Sequence, residues 1–144
     1  MKLYTSYFAQ LKNFPKNLIG LSTAVWNPKW LEPYHRVTDP IWLDIPPLKP
    51  GKACAGLCNG KCAPKHPEDC DFLKVYYQQL QAIDFQEFYQ KLERLNEKIR
   101  QGENLLSVDF AFLVYEAPAN LCSERQIIQK WIRENGVEIN EWHK

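Results

Sequence analysis

The chain has no excess of either charge, since 18 basic residues stand against 17 acidic ones and the formal net charge is +1. Such a protein has no overall field that attracts nucleic acid or anionic lipid, so binding of that kind needs a local patch of charge. The chain also lacks any run near the roughly 18 apolar residues of a membrane span. We therefore expect no membrane partner.

The first residues lack the apolar stretch of a secretory signal peptide, because Gln10 and Lys12 interrupt it. We therefore expect a cytoplasmic protein whose five cysteines are reduced thiols or metal ligands rather than disulfides. With 144 residues and a hydrophobic content of 45%, the chain fits one ordinary globular domain.

Nine of the ten prolines lie between positions 15 and 67, and they predict an irregular first half and a regular second half. Aromatic and apolar runs predict strands at 3–8 and 17–22, and residues 39–50 are predicted to form a loop. Helical spacing predicts helices at 72–83 and 84–102 and a third one that Ser123 caps. Two further strands are predicted at 108–115 and 137–142.

The strand, helix and strand that follow position 100 form a βαβ unit, which is typical of parallel sheets. We predict a single α/β domain over residues 1–144. It is a small three-layer domain with a mostly parallel sheet of four or five strands and a metal-binding loop insertion at 51–71.

Ligands of open parallel sheets bind beyond the carboxyl ends of the strands. Applied to the predicted strands, this rule indicates a crevice lined by hydroxyl and charged side chains. The candidate ligand-binding residues are Ser6, Ser22, Tyr115, Glu116 and Arg125.

A cysteine-rich loop lies between the two halves of the chain. Cys54, Cys58, Cys62 and Cys70 fall within 17 residues that contain almost no bulky apolar side chain. Four thiolates can hold a tetrahedral zinc ion, and metal binding can supply the ordering energy that burial does not. We predict these four cysteines as zinc ligands. The alternatives are three of them with His66, an iron–sulfur cluster, and unliganded or oxidised thiols.

Several short motifs occur in an order that resembles a known family. They are residues 3–9 (LYTSYFA), 18–22 (LIGLS), 27–30 (NPKW), 112–116 (FLVYE), 122–125 (CSER) and 131–132 (WI). Their order resembles phage-type members of the domain of unknown function 488. The resemblance covers roughly residues 3–45 and 70–142, so the cysteine-rich loop looks like an insertion.

Two departures from this family concern the chemistry. Val114 stands where many relatives have cysteine, and Ser123 with Glu124 replaces a histidine between Cys122 and Arg125. The loss of these groups favours binding over covalent catalysis. The phage and bacterial context of the family implies roles with nucleotides, nucleic acid or host proteins, by analogy.

Each candidate residue has a functional and a structural interpretation. Arg125 in the first turn of a helix can hold an anion, or it can pair with a carboxylate such as Glu124 or Glu116. Glu116 can act as a general base or accept a hydrogen bond from a nucleobase, or it can simply hold Arg125.

The tryptophans of the first half also have two interpretations. Trp26, Trp30 and Trp42 can stack on bases, with Lys29 and Arg36 close enough in sequence to contact phosphates. Alternatively, they pack over the edge of the sheet.

These observations favour a nucleotide- or nucleic-acid-associated binding module of phage or bacterial type, with its ligand at the carboxyl ends of the strands. The alternative is a phage-encoded factor that interferes with a host by binding one of its proteins, without catalytic activity. Near-zero net charge disfavours tight binding to DNA of any sequence.

Overall fold

The computed structural model describes residues 1–34, 42–57 and 66–144. Its strands are β1 (Leu3–Tyr7), β2 (Leu18–Ser22), β3 (Trp42–Asp44), β4 (Asp109–Val114) and β5 (Ile139–Glu141). Its α-helices are α1 (Asp71–Gln81), α2 (Phe85–Gly102) and α3 (Glu124–Glu134). Short 3-10 helices form much of the first half, at Phe8–Asn13, Lys29–Tyr34, Pro46–Leu48, Lys52–Cys54 and Pro67–Asp69.

The five strands form one sheet in the order β3-β2-β4-β1-β5, and every neighbouring pair is parallel. The predicted α/β class is therefore confirmed. β2 and β4 lie inside the sheet, and all five residues of β2 are buried. This burial explains why both strands read as nearly continuous apolar runs in the sequence.

A separate apolar core covers each face of the sheet. On one face, the three α-helices pack on β1, β2 and β4 through side chains that include Tyr76, Phe88 and Trp131. On the opposite face, the cover consists of 3-10 helices, with Leu11 and Leu31 among its buried residues. The three layers are therefore helices, sheet and 3-10 turns.

Two helices begin at the capping residues that the sequence predicts. The Asp84 side chain accepts a hydrogen bond from the amide of Glu87 at 3.1 Å and caps α2. Ser123 caps α3 through its hydroxyl, which accepts a hydrogen bond from the Arg125 amide at 3.2 Å. Gln126 does not complete a reciprocal capping box, because its Oε1 is buried without a hydrogen-bond partner among the described residues.

The prediction of a loop over residues 39–50 was wrong in its middle, where β3 pairs with β2. Prolines flank this strand without entering it, and three residues are too few for a periodic signal. Trp42 is its anchor, since its indole is 7% exposed and donates to the carbonyl of Leu31 at 3.0 Å.

No helix of the described residues combines the length and the apolar character that crossing a bilayer requires.

Candidate functional site

The five candidate ligand-binding residues all lie at the carboxyl edge of the sheet, but they divide between its two faces. Alternation along the strands and the packing of Tyr115 on Phe8, with ring centroids 5.0 Å apart, place Ser6, Ser22 and Tyr115 on the face covered by 3-10 turns. Glu116 and Arg125 lie with α3 on the other face. Within the described parts of the chain, no hydrogen bond links the two groups.

Arg125 is enclosed rather than open to a ligand. Its side chain is 3% exposed, and its Nε donates to Glu141 Oε1 at 2.6 Å. Its Nη2 donates to the backbone carbonyl of Glu116 at 2.6 Å, and the guanidinium lies 5.9 Å from the centroid of the Tyr7 ring. The sequence allowed Arg125 either to bind an anionic ligand or to pair with a carboxylate. In the structure it pairs with a carboxylate, and the partner is Glu141 rather than Glu116 or Glu124.

The same carboxylate joins Arg125 to the first strand. Glu141 Oε1 also accepts from the Thr5 hydroxyl at 2.8 Å, and Gln129 donates to Thr5 Oγ1 at 2.7 Å. Arg125 Nη1 and Glu141 Oε2 remain without a hydrogen-bond partner among the described residues. This network ties β1, β5 and α3 together at the carboxyl edge.

Glu124, which the sequence offered only as a possible partner of Arg125, has a carboxyl group with a shifted pKa. Burial raises the pKa of its carboxyl to about 7, and the nearby Glu116 carboxylate acts in the same direction. Glu116 Oε2 in turn lies 3.3 Å from the Ser123 hydroxyl that caps α3. The start of α3 therefore carries a carboxyl that exchanges its proton near neutral pH.

Ser22 and Tyr115 anchor the loop that follows β2. The Ser22 hydroxyl donates to Asn27 Oδ1, and the Tyr115 hydroxyl donates to the carbonyl of Trp26. Asn27 Nδ2 donates to Asp44 Oδ1 at 2.9 Å. These bonds fix the backbone around Trp26, whose indole is nevertheless 83% exposed.

The exposed indole forms one wall of a groove, which we call the Trp26 groove. It has a volume of about 430 Å³ and lies beyond the carboxyl ends of β2 and β3. Among the described residues, the lining is mostly apolar and has one charged member, Lys52; it includes Val25, Trp26, Pro50, Lys52, Cys54 and Phe72. Its size falls within the range of roughly 300–1,000 Å³ that is usual for small-molecule sites.

The opposite wall of the Trp26 groove is held by α1. Gln79 accepts from the Gly51 amide at 2.7 Å and donates to the carbonyl of Lys49 at 2.8 Å. The Tyr76 hydroxyl donates to the carbonyl of Leu48 at 2.5 Å. Lys49 bridges the two walls, since its ammonium lies 2.8 Å from Asp44 and donates to the carbonyl of Ala24. Both walls are therefore positioned before any ligand binds.

The predicted base-stacking tryptophans also separate into two classes. Trp42 is buried and packs, whereas Trp26 and Trp30 are 83% and 50% exposed. Arg36, which was predicted to contact phosphates, lies outside the described residues. Ser6 is fully buried, and its hydroxyl has no hydrogen-bond partner among the described residues.

Of the four predicted metal ligands, Cys54 and Cys70 are described, and both are buried, at 2% and 4% exposure. Cys58 and Cys62 lie outside the described residues. Burial raises the pKa of the Cys54 thiol. His66, Glu68 and Asp69 have ligand atoms within 4.8 Å of one another, but all three are exposed and none provides sulfur. The zinc site stays a prediction.

No family model, curated protein or solved structure matches this chain. The resemblance to the domain of unknown function 488 therefore rests on the order of the motifs and stays a prediction.

Proposed function

We propose that this chain is a nucleotide- or nucleic-acid-binding module in which the Trp26 groove receives the base. The observation that supports this proposal most directly is the exposure of Trp26. An indole that is 83% exposed gains little of the stabilisation that burial of its apolar surface would give. Hydrogen bonds from Ser22 and Tyr115 and between Asn27 and Asp44 nevertheless hold its loop in place. A planar ring stacked on the indole covers that surface.

Other residues that line the Trp26 groove suit further parts of a nucleotide. Phe72 and Val25 supply apolar contact, and Lys52 supplies a positive charge for a phosphate group. The groove lies at the carboxyl ends of parallel strands, where ligands of such sheets bind. In this arrangement Ser22 and Tyr115 position the loop. Arg125 stabilises the edge of the sheet and does not contact the phosphate.

Thermal unfolding in the presence of nucleoside monophosphates tests the proposal. A ligand at 100 times its dissociation constant adds about 2.7 kcal/mol of stability. Trp26→Ala is expected to abolish this stabilisation while the unliganded protein melts as before, because the removed side chain is exposed. Leu106→Ala is the matched control, since Leu106 is fully exposed and does not line the Trp26 groove. Stabilisation that survives Trp26→Ala would contradict the assignment of the site.

A second candidate function, docking on a host protein, has one observation in its favour. Val25, Trp26 and Tyr115 are all more than half exposed at the same edge, and Tyr and Trp are enriched among residues that dominate protein interfaces. In that case no nucleotide stabilises the protein. Trp26→Ala then weakens co-purification with the host partner, and Leu106→Ala does not.

A further inference from the structure

The Trp26 groove is open on its outer side. Closed small-molecule sites bury roughly 70–90% of the ligand surface. Here Trp26 is 83% exposed, and Gly51, Lys52 and Ala55 in the lining are exposed as well. A base that stacks on Trp26 therefore keeps its sugar and phosphate at the surface, where a nucleic-acid strand can continue in both directions.

A second exposed indole follows Trp26 in the chain. Trp30 is 50% exposed and lies in the 3-10 helix that begins at Lys29. Trp30 is four positions after Trp26 in the chain, so their Cα atoms are at most about 14 Å apart. A few nucleotides of extended single strand cover such a distance. Successive aromatic side chains on which successive bases stack are typical of proteins that bind single strands.

Two lysines supply the matching positive charge. Lys29 lies between the indoles in sequence, and Lys52 lines the groove. Among the described residues, neither ammonium group has an acidic partner within 4 Å, whereas Lys49 is neutralised by Asp44. Because the whole chain carries a net charge of only +1, affinity for phosphates has to come from such local cations.

We propose that the Trp26 groove, Trp30 and these two lysines together bind single-stranded nucleic acid rather than a free nucleotide. One base stacks on Trp26, another base of the same strand stacks on Trp30, and Lys29 and Lys52 contact the phosphates. The inference rests on the proposed function and narrows its ligand class.

Binding to labelled oligothymidylates of one, two, four and eight nucleotides, followed by fluorescence anisotropy, tests this proposal. Affinity is expected to rise with length up to the span of the two indoles. Trp30→Ala is expected to weaken binding of the octamer by roughly 5- to 150-fold, as the loss of one stacked base does elsewhere. The same substitution leaves binding of the mononucleotide unchanged, whereas Trp26→Ala weakens both.

The dependence on salt tests the role of the lysines. Two phosphate contacts predict that the logarithm of the octamer affinity falls with the logarithm of salt concentration with a slope of about −1.4. Lys52→Gln is expected to reduce this slope to about −0.7. Lys98→Gln, on the exposed side of α2, is the control and leaves the slope unchanged.

Different results would contradict the single-strand inference and the proposed function. If the mononucleotide binds as tightly as the octamer and Trp30→Ala changes neither, the single-strand inference is wrong and the nucleotide site stands. If duplex of the same length binds as tightly as the single strand, stacking is not the mode of binding and the inference is again wrong. If neither nucleotide nor oligonucleotide binds, the proposed function fails as well.

Discussion

Two adjacent residues, Glu124 and Arg125, show how much the surroundings decide the role of a charge. Arg125 is almost fully buried, and a carboxylate 2.6 Å away balances its charge. Glu124 also lies at the start of α3, but burial pushes it towards the neutral form. The two side chains differ in their response to substitution and to pH.

Replacement of Arg125 by methionine is expected to destabilise the protein by about 3–5 kcal/mol, because it leaves the Glu141 carboxylate, whose side chain is only 13% exposed, without its charged partner. Urea unfolding at pH 7 measures the loss. The matched control is Arg100→Met, since Arg100 and Glu97 form an exposed pair whose loss is expected to change stability little. Equal effects of the two substitutions would show that the Arg125 pair is not shielded from solvent.

Glu124 makes stability depend on pH. Its pKa is about 7 in the folded chain against 4.5 as the ordinary value, so the folded state binds more protons between these two pH values. Stability therefore falls as pH rises from about 4.5 to 7, by on the order of 3 kcal/mol, and then levels off.

The variant Glu124→Gln is expected to remove this slope and to be more stable than the parent chain at pH 8. Urea unfolding at pH 5, 6, 7 and 8 provides the measurement. Glu93→Gln, an exposed change on α2, serves as the control. A parent-like slope in the Glu124 variant would mean that another group carries the proton.

At the scale of elements, the segment between β3 and α1 is described over residues 45–57 and 66–70, and both parts contact α1. Tyr76 and Gln79 of α1 hold the first part through hydrogen bonds, and Cys54 and Cys70 are buried. Burial therefore contributes to the placement of these two parts, which the scarcity of bulky apolar residues in the sequence did not indicate.

Purified protein is expected to contain about one zinc per chain, bound by Cys54, Cys58, Cys62 and Cys70, or a brown iron–sulfur chromophore when prepared without oxygen. Elemental analysis and a visible spectrum distinguish the two. Cys58→Ser is expected to increase proteolysis within 51–71 and to leave the far-ultraviolet circular dichroism intact, because bound metal would supply the ordering energy of a loop that has almost no bulky apolar side chains. The absence of both metals would end the metal hypothesis.

At the scale of the whole molecule, β2 is enclosed on both faces and has no room for additional atoms. A Cβ at Gly20 would lie 2.7 Å from Leu113 Cδ1 and 3.2 Å from Leu11 Cδ1. Leu113 is on the neighbouring strand β4, and Leu11 is in the 3-10 helix that covers the sheet. Because Gly20 has no side chain, the 3-10 helix Phe8–Asn13 can lie close to the sheet.

Gly20→Ala is expected to destabilise the protein by about 1–3 kcal/mol through overpacking. Gly102→Ala is the matched control, since a Cβ there meets nothing within 4 Å and alanine favours the helical conformation of α2. The control is expected to be neutral or more stable by about 0.5–1 kcal/mol. Thermal unfolding of the two variants compares the effects, and a neutral Gly20 variant would show that Leu113 repacks freely.

The sequence by itself determined the α/β class, the positions of the three helices and four of the five strands. These features follow from apolar periodicity and capping residues. Both are local patterns, so a short stretch of sequence is enough to identify each element. It also predicted a site at the carboxyl ends of the strands, because parallel topology follows from the order of elements.

Only the tertiary structure decided which of the candidate residues are exposed and which are buried in contacts with the rest of the chain. Arg125 is 16 residues from Glu141 in the chain, and their pairing depends on β5 lying beside β1. The exposure of Trp26 and the burial of Trp42 depend in the same way on which segments cover the sheet. Burial and charge pairing are properties of non-local neighbours, and no local pattern of residues specifies them.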